Sequence, residues 1–300
     1  MPSGLEWLAT PAFTGAAVQA AVPLYLLVLG ALVCERAGLV NLGLEGMMLA
    51  GACVGAAIAP WLGPGAGIAF GVIAGAWVAL LHALATVQFG VDQIVSGLTL
   101  NLVAFGAARP LATRAFGASG TSPTLGHLPA IAVPWLGGLT PLVPAALLIG
   151  LAVLVALRFG VAGPRLDAAS AAPLAAEGAG LDTERLRYGA LAVCGGLAGL
   201  AGAGLSIEFA GHYQPGITQG RGFLALALCV LVGRSVLGGL VAAALLGALQ
   251  AVPAFLPAGQ STSLLQATPW LVVLVGLALL GRRPRPARTV PDRWRAGATL

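Results

Sequence analysis

Four polar residues stand inside or beside an apolar run in the stretch ERAGLVNLGLEGMMLAG. They are Glu35, Arg36, Asn41 and Glu45. If this run lies in a membrane, an ionised glutamate at the bilayer centre costs about 2.5–3.5 kcal/mol, and each leucine or isoleucine returns only roughly 0.3–0.6 kcal/mol. Glu45 is therefore expected to face protein or a water-filled cavity, with Asn41 on the same helix face one turn earlier. The alternative is that Glu45 only caps a broken helix or locks two helices together by hydrogen bonds.

Further polar residues interrupt two other apolar runs. In the stretch EFAGHYQPGITQGRGF (208–223), Glu208 and Arg221 bracket the interruption and can pair with each other or with Glu45. Asn101 lies deep inside another run, whereas Asp92 at its start needs no more explanation than a favourable charge at a helix N-terminus. The candidate substrate pathway therefore consists of Asn41, Glu45, Asn101, Glu208 and Arg221.

The residues that are missing exclude several kinds of chemistry. The 15 basic residues are all arginine, so the sequence holds no GxxxxGK[ST] phosphate-binding loop and no lysine for a Schiff base. HExxH and GxSxG are also missing, which leaves hydrolysis without an obvious metal site or nucleophile. The four cysteines show no CxxC spacing and are interpreted as small core residues. We expect no catalytic residue, no metal and no cofactor.

The elements that hold these residues are expected to be membrane helices. The 300 residues are 58% hydrophobic and 8% charged, and the mean hydropathy is +0.95, which no soluble globular composition approaches. The apolar residues come in unbroken blocks of about 20, the length that a helix needs to cross roughly 30 Å of hydrocarbon. The prediction is an all-α, polytopic transmembrane helical bundle of about nine spans. The predicted spans are 14–33, 39–59, 65–87, 91–108, 141–160, 187–207, 221–233, 236–254 and 268–281.

Two glycine-rich features predict how the bundle is built. Gly67, Gly71 and Gly75 recur every four residues, and GGLAGLAGAG (195–204) carries small residues that let helices approach closely in lipid. The two polar, glycine-containing interruptions occupy comparable places in the two halves of the chain. That pattern is typical of inverted-repeat transporters, whose broken helices converge on a site near the membrane midplane. The short seventh span either crosses the bilayer or is re-entrant.

The arginines indicate the orientation. In a nine-span arrangement, most of them fall on one side, which is the cytoplasmic side by the positive-inside rule. The N-terminus is then outside and the C-terminus inside, and the net charge of +5 reflects topology and anionic lipid headgroups, not nucleic acid. One membrane domain, 1–300, is expected, with an outer loop at 109–140, an inner loop at 161–186 and a basic cytoplasmic tail at 282–300.

Three stretches resemble signature segments of one transporter family. They are ERAGLVNLGLEGMMLAGA, AAEGAGLDTERLRYGALAVCGGLAGLAGAGLS and GITQGRGFLALALCVLVGR. Their order and spacing across residues 14–281 are similar to the bacterial ABC importer permeases that serve branched-chain amino acids, simple sugars and nucleosides. The motif NLGLEGMM is most similar to the corresponding stretch of the nucleoside branch, whose members work with BmpA-type lipoproteins.

The resemblance implies a transport subunit in the bacterial cytoplasmic membrane, not an enzyme. Its expected partners are a separate cytoplasmic ABC ATPase, a second, paralogous permease, and an extracytoplasmic binding protein or lipoprotein that delivers substrate. Asn41 and Glu45 then fall near the translocation path. The residues that fall on the ATPase-coupling loop are Ala175, Ala176, Glu177, Gly180 and Asp182.

Alternatives to a nucleoside remain within that family, namely a simple sugar or a branched-chain amino acid. An alternative of a different class is an ion-coupled secondary transporter, in which Glu45 or Glu208 would bind a proton or a sodium ion. The inner loop 161–186 argues against this class, because an ion-coupled carrier has no use for a docking surface on the cytoplasmic side.

Overall fold

The computed structural model describes residues 6–117, 119–133, 137–255 and 262–280. Helices make up most of these residues, which confirms the prediction of a polytopic helical bundle. The basic tail expected at 282–300 lies outside the described residues. The helices are α1 (Pro11–Arg36), α2 (Leu44–Leu62), α3 (Pro64–Ala83), α4 (Gln93–Phe116), α5 (Leu142–Arg158), α6 (Ala162–Ala171), α7 (Pro173–Gly178), α8 (Thr183–Gly204), α9 (Arg221–Val232), α10 (Val236–Ala251) and α11 (Thr262–Leu280).

Short elements extend or connect these helices. A π-helical turn prolongs α3 and another prolongs α8, and single 3₁₀ turns precede α1 and follow α10. Two three-residue strands, β1 and β2, pair in antiparallel fashion before α5, with Ile131 opposite Leu139. The π turns are Leu84–Gln88 and Leu205–Phe209, the 3₁₀ turns are Glu6–Ala9 and Val252–Phe255, and the strands are β1 (Ile131–Val133) and β2 (Gly137–Leu139).

The expected count of nine membrane crossings is not confirmed, although each predicted span contains a helix. Six helices in the described ranges are long and apolar enough to cross a membrane by length and composition, namely α1, α2, α3, α4, α8 and α10 with their terminal turns. Helices α5 and α6 add a seventh if they count as one span with a 64° bend. Helix α9 and the apolar part of α11 (Ala267–Leu279) are shorter.

Three boundaries differ from the prediction for local reasons. Helix α2 begins at Leu44 and not at residue 39, because the preceding residues form a non-helical break. Helix α4 continues past Arg109 to Phe116, so the first part of the predicted outer loop 109–140 is helical. Helix α8 begins at Thr183 because the side chain of Asp182 accepts a hydrogen bond from the Arg185 amide and caps the first turn.

The centre of the bundle is formed by α8 packed against α1, α2 and α3. Small residues allow this approach: a Cβ added to Gly51 of α2 would lie 2.5 Å from the Gly199 Cα atom of α8. A Cβ added to Gly71 of α3 would lie 2.5 Å from the Cβ of Ala203. These contacts confirm the predicted small-residue packing, and they give the remaining helices a close-packed core to rest on.

The two ends of α8 lie in different surroundings. Near its beginning, α1 ends beside α6, where Arg36 approaches Asp167. Beyond its far end, the segment 119–130 is held by backbone hydrogen bonds to residues that follow the second π turn. The Ser122 amide donates to the Tyr213 carbonyl at 2.9 Å, and the Leu125 amide donates to the Gly211 carbonyl at 2.7 Å. The α1–α6 contact and the 119–130 segment therefore mark opposite ends of the bundle.

Candidate functional site at two helix breaks

The first break separates α1 from α2 and contains Asn41. Its Oδ1 atom accepts a hydrogen bond from the Gly43 amide at 3.0 Å, and its Nδ2 atom lies 3.3 Å from the sulfur atoms of Met47 and Cys194. The side chain is buried. Asn41 therefore folds the chain back on itself immediately before α2, and its amide is occupied by protein atoms.

The Asn101 side chain, from α4, forms hydrogen bonds with the backbone at the start of α2. The first amides of a helix have no partner within it, and the cap position Gly43 has no side chain to supply one. The Asn101 Oδ1 atom accepts from the Gly46 amide at 2.7 Å, and its Nδ2 atom donates to the Leu42 carbonyl at 2.7 Å. Asn101 therefore does the work of an N-cap residue, and both of its groups are used.

Glu45 joins the start of α2 to the start of α9. Its Oε1 atom accepts a hydrogen bond from the Gly220 amide at 2.8 Å, and its Oε2 atom accepts one from the Gly222 amide at 2.6 Å. The residue is fully buried. A carboxylate is favoured at a helix N-terminus because the exposed amides and the helix dipole are positive there. The geometry is that of the locking alternative set out from the sequence.

Gly220 and Gly222 make this contact possible. Gly220 has φ of 76°, a left-handed conformation in which a side chain is strained. A Cβ added to Gly222 would lie 2.6 Å from the Glu45 backbone nitrogen. Neither glycine was predicted as a partner of Glu45, although the glycines around Arg221 were a signal that a backbone approaches closely there.

The junction lies well inside the bundle. Helix α9 has 12 residues, which at 1.5 Å per residue make it about 18 Å long, a little over half of a roughly 30 Å hydrocarbon core. Its C-terminal end is beside α1 and α6, because Arg234 lies 2.6 Å from Asp167. The N-termini of α2 and α9 therefore meet inside the bundle, at the end of α9 that points away from the α1–α6 contact.

Arg221 lies at this junction, close enough to Glu45 for an electrostatic attraction, but it forms no salt bridge with either glutamate in the part of the chain that the structure describes. Its Nε atom donates to the Gln250 Oε1 atom at 3.3 Å, and Nη1 donates to the Ile217 carbonyl at 3.2 Å. A direct salt bridge of Arg221 with Glu45 or with Glu208, considered from the sequence, is therefore not found among the described residues. Arg221 instead ties the start of α9 to α10.

Glu208 lies apart from the other four candidate residues. It is 5% exposed, in the π turn after α8. Its Oε1 atom accepts a hydrogen bond from the Leu128 amide at 2.8 Å, and its buried Oε2 atom has no hydrogen-bond partner among the described residues. The structure thus brings Asn41, Glu45, Asn101 and Arg221 to the starts of α2 and α9, and it places Glu208 beneath the 119–130 segment.

The predicted coupling loop contains α6 and α7. Ala175, Glu177, Gly180 and Asp182 are exposed, whereas Ala176 is buried. The Thr183 hydroxyl donates to the Glu177 Oε1 atom at 2.6 Å, and Asp182 pairs with Arg185 at 2.9 Å, so the loop is closed by local contacts. Leu174, which the sequence analysis did not single out, is 61% exposed on the same surface. The loop therefore offers an ordered surface with an apolar side chain at its tip.

Helices that begin inside a polytopic bundle are typical of membrane transport proteins. The sequence profile of the family described as "Branched-chain amino acid transport system / permease component" matches residues 14–281. The chain belongs to this family and is an ABC transporter permease.

Three curated relatives match over most of their length. TsgC13 of Haloferax volcanii, an ABC transporter permease with a provisional assignment to glucose, is 36% identical over 79% of this chain and 75% of its own. The guanosine ABC transporter permease NupQ of Bacillus subtilis is 30% identical over 90% of this chain and 93% of its own. The nucleoside ABC transporter permease NupC of Lactococcus lactis is 30% identical over 88% and 90%. No solved structure shows a significant match.

Proposed function

We propose that this permease moves nucleosides into the cell. The observation that carries the proposal is that two relatives named for guanosine and for nucleosides align with about nine-tenths of the chain. A nucleoside is neutral and polar, so it brings no net charge into the bilayer and needs only hydrogen-bonding and stacking partners.

The energy comes from a separate ATPase that docks on the surface formed by α7 and the residues up to Asp182. In this proposal a second permease subunit completes the membrane unit, and an extracytoplasmic binding protein or lipoprotein presents substrate. The chain lies in the cytoplasmic membrane with its N-terminus outside and its C-terminus inside, since α6 and α7 must reach the ATPase. Closure of the ATPase pulls on α6 and α7, and the bundle opens toward the cytoplasm.

The substrate is tested by uptake into liposomes that contain the assembled complex with ATP on the ATPase side. Guanosine, glucose and leucine are offered in parallel as radiolabelled probes. Saturable guanosine uptake with neither glucose nor leucine uptake is expected. Uptake of glucose alone would overturn the nucleoside assignment in favour of a sugar, the class to which TsgC13 is provisionally assigned.

Dependence on the ATPase is tested with the permease subunits alone in liposomes under a proton or sodium gradient. They should accumulate no guanosine against its gradient. Concentrative uptake in that preparation would establish an ion-coupled transporter and refute the proposed mechanism.

The docking surface is tested by Ala175→Arg, because Ala175 is exposed and helical and an arginine fits there without backbone strain. Gly180 is a poorer probe, since its φ of 85° penalises any side chain. We expect Ala175→Arg to abolish co-purification of the ATPase while membrane insertion is unchanged. The matched control is Thr124→Arg, an exposed position in the 119–130 segment at the opposite end. Equal ATPase recovery in both variants would contradict the proposed surface.

A further inference from the structure

Asp167 of α6 is held by two arginines from different elements. Its Oδ1 atom lies 2.6 Å from the Arg234 Nη1 atom, and its Oδ2 atom lies 3.5 Å from the Arg36 Nη1 atom. Arg36 also donates to the Arg234 carbonyl and to the Leu157 carbonyl, each at 3.4 Å. One carboxylate on α6 thus connects α1 with the turn after α9.

Both arginines mark the ends of elements that lead to Glu45. Arg36 is the last residue of α1, and the break that follows reaches Glu45 within nine residues. Arg234 comes two residues after α9, whose other end donates two amides to Glu45. The first break and α9 are therefore connected at both ends and form a ring. Asp167 is the carboxylate at one junction, and Glu45 is the carboxylate at the other.

Helix α6 also touches the break directly. A Cβ added to Gly38 would lie 3.0 Å from the Ser170 Oγ atom, and Gly38 has φ of 78°. Helix α6 is joined to α7 by Ala172 alone. Asp167 and the Gly38–Ser170 contact therefore connect α6, and through Ala172 also α7, to the ring. The other ion pair found in the described part of loop 161–186, between Asp182 and Arg185, is local to the start of α8.

We infer that Asp167 is a positioning residue that couples the cytoplasmic segment α6–α7 to the two helix starts at Glu45. This inference rests on the proposed function, because it assumes that an ATPase moves α7. It assigns to Asp167, Arg36 and Arg234 a role in transmitting the ATPase-driven movement of α7, in addition to any contribution they make to the stability of the fold.

The test compares Asp167→Asn with Asp167→Glu in the assembled complex. Asparagine removes the charge and keeps the size, whereas glutamate keeps the charge. We expect Asp167→Asn to assemble with normal basal ATPase activity but to lower guanosine uptake per ATP hydrolysed by about tenfold, in the range of typical coupling effects. Asp167→Glu should restore most of the uptake. The control is Asp92→Asn, an exposed cap of α4 whose asparagine replacement still caps the helix.

If Asp167 only stabilises the fold and does not couple the movements, the experiment gives a different result. If the assembled Asp167→Asn complex takes up as much guanosine per ATP hydrolysed as the wild-type complex does, the inference is overturned. Should Asp167→Asn fail to assemble, Arg234→Gln, which leaves the Arg36 contact, takes its place. Unchanged uptake per ATP in that variant would overturn the inference equally.

A second readout does not depend on the substrate. Val40 in the break is 53% exposed and the four native cysteines are buried, so a Val40→Cys thiol can be labelled selectively. ATP-bound and nucleotide-free complexes should differ in labelling rate by about fivefold, and Asp167→Asn should remove the difference. A retained difference would overturn the inference. Absence of guanosine uptake in the wild-type complex would instead refute the proposed substrate and leave this labelling test valid.

Discussion

Two buried glutamates, Glu45 and Glu208, follow the same sequence pattern but have different surroundings. Each lies at a polar, glycine-containing interruption of an apolar run. Glu45 accepts a hydrogen bond from a backbone amide on each carboxyl oxygen. Glu208 accepts one from a single amide, and its other, buried oxygen has no partner in the described ranges. Glu45 therefore joins two helices with both of its carboxyl oxygens. Glu208 holds the 119–130 segment with one oxygen.

The two interruptions also enter the bundle from opposite ends. The first begins at Arg36 beside α6, and the second begins at the π turn beneath the 119–130 segment. From these two ends, the two segments run inward, and the start of α2 meets the start of α9. Breaking two hydrogen bonds to a buried carboxylate is costly, so α2 and α9 are expected to move as one unit. The backbone near Glu208 is expected to move more easily.

The largest effect is expected for Glu45→Ala. The change leaves the Gly220 and Gly222 amides buried without partners, and each such group costs about 1–3 kcal/mol. The free energy of unfolding should therefore fall by roughly 2–6 kcal/mol. It can be measured by SDS-induced unfolding of the purified permease in mixed micelles, and the yield of monodisperse protein should fall with it.

Glu45→Gln sharpens this prediction because glutamine has one acceptor oxygen for two amides. Its loss should lie between those of wild type and Glu45→Ala. If all three proteins unfold at the same SDS concentration, the carboxylate is not a joint, and the contrast with Glu208 disappears.

The sequence predicted the helical class and the position of every helix that coincides with an apolar run, because lipid demands long apolar segments with satisfied backbones. It could not predict the number of crossings, since a helix as short as α9 has the composition of a spanning helix. The first break was visible in the polar residues around Asn41. The partners of Glu45 were not, because backbone amides of glycines 175 and 177 residues away leave no side-chain signal.

The inner loop shows a similar limit. Ala175, which the resemblance places on the coupling loop, lies in helix α7. Helix α6 was not predicted, since its composition is mixed and short helices gain most of their stability from packing. The three-residue cluster of Asp167, Arg36 and Arg234 depends on contacts between distant parts of the chain, and spacing in the sequence does not reveal it.

A smaller effect than that of Glu45→Ala is expected for Asn101→Ala. It removes the acceptor for the Gly46 amide and the donor to the Leu42 carbonyl, so the start of α2 loses its cap at a cost of about 1–3 kcal/mol. The same unfolding measurement applies. Thr99→Ala is the control on the same helix, because the exposed Thr99 hydroxyl donates to the Val95 carbonyl within α4. Equal stability of the two variants would show that α2 does not need Asn101.

The smallest effect is expected for Glu208→Gln, which tests the other side of the comparison. Glutamine keeps an oxygen for the Leu128 amide and places its NH₂ group where the glutamate oxygen has no partner in the part of the chain that the structure describes. The free energy of unfolding should therefore change by less than about 1 kcal/mol. Glu208→Leu, which removes the acceptor, is the matched control and should cost more. If Glu208→Gln destabilises the protein as strongly as Glu45→Gln does, the second oxygen is engaged in the folded protein, and the two glutamates are equivalent joints after all.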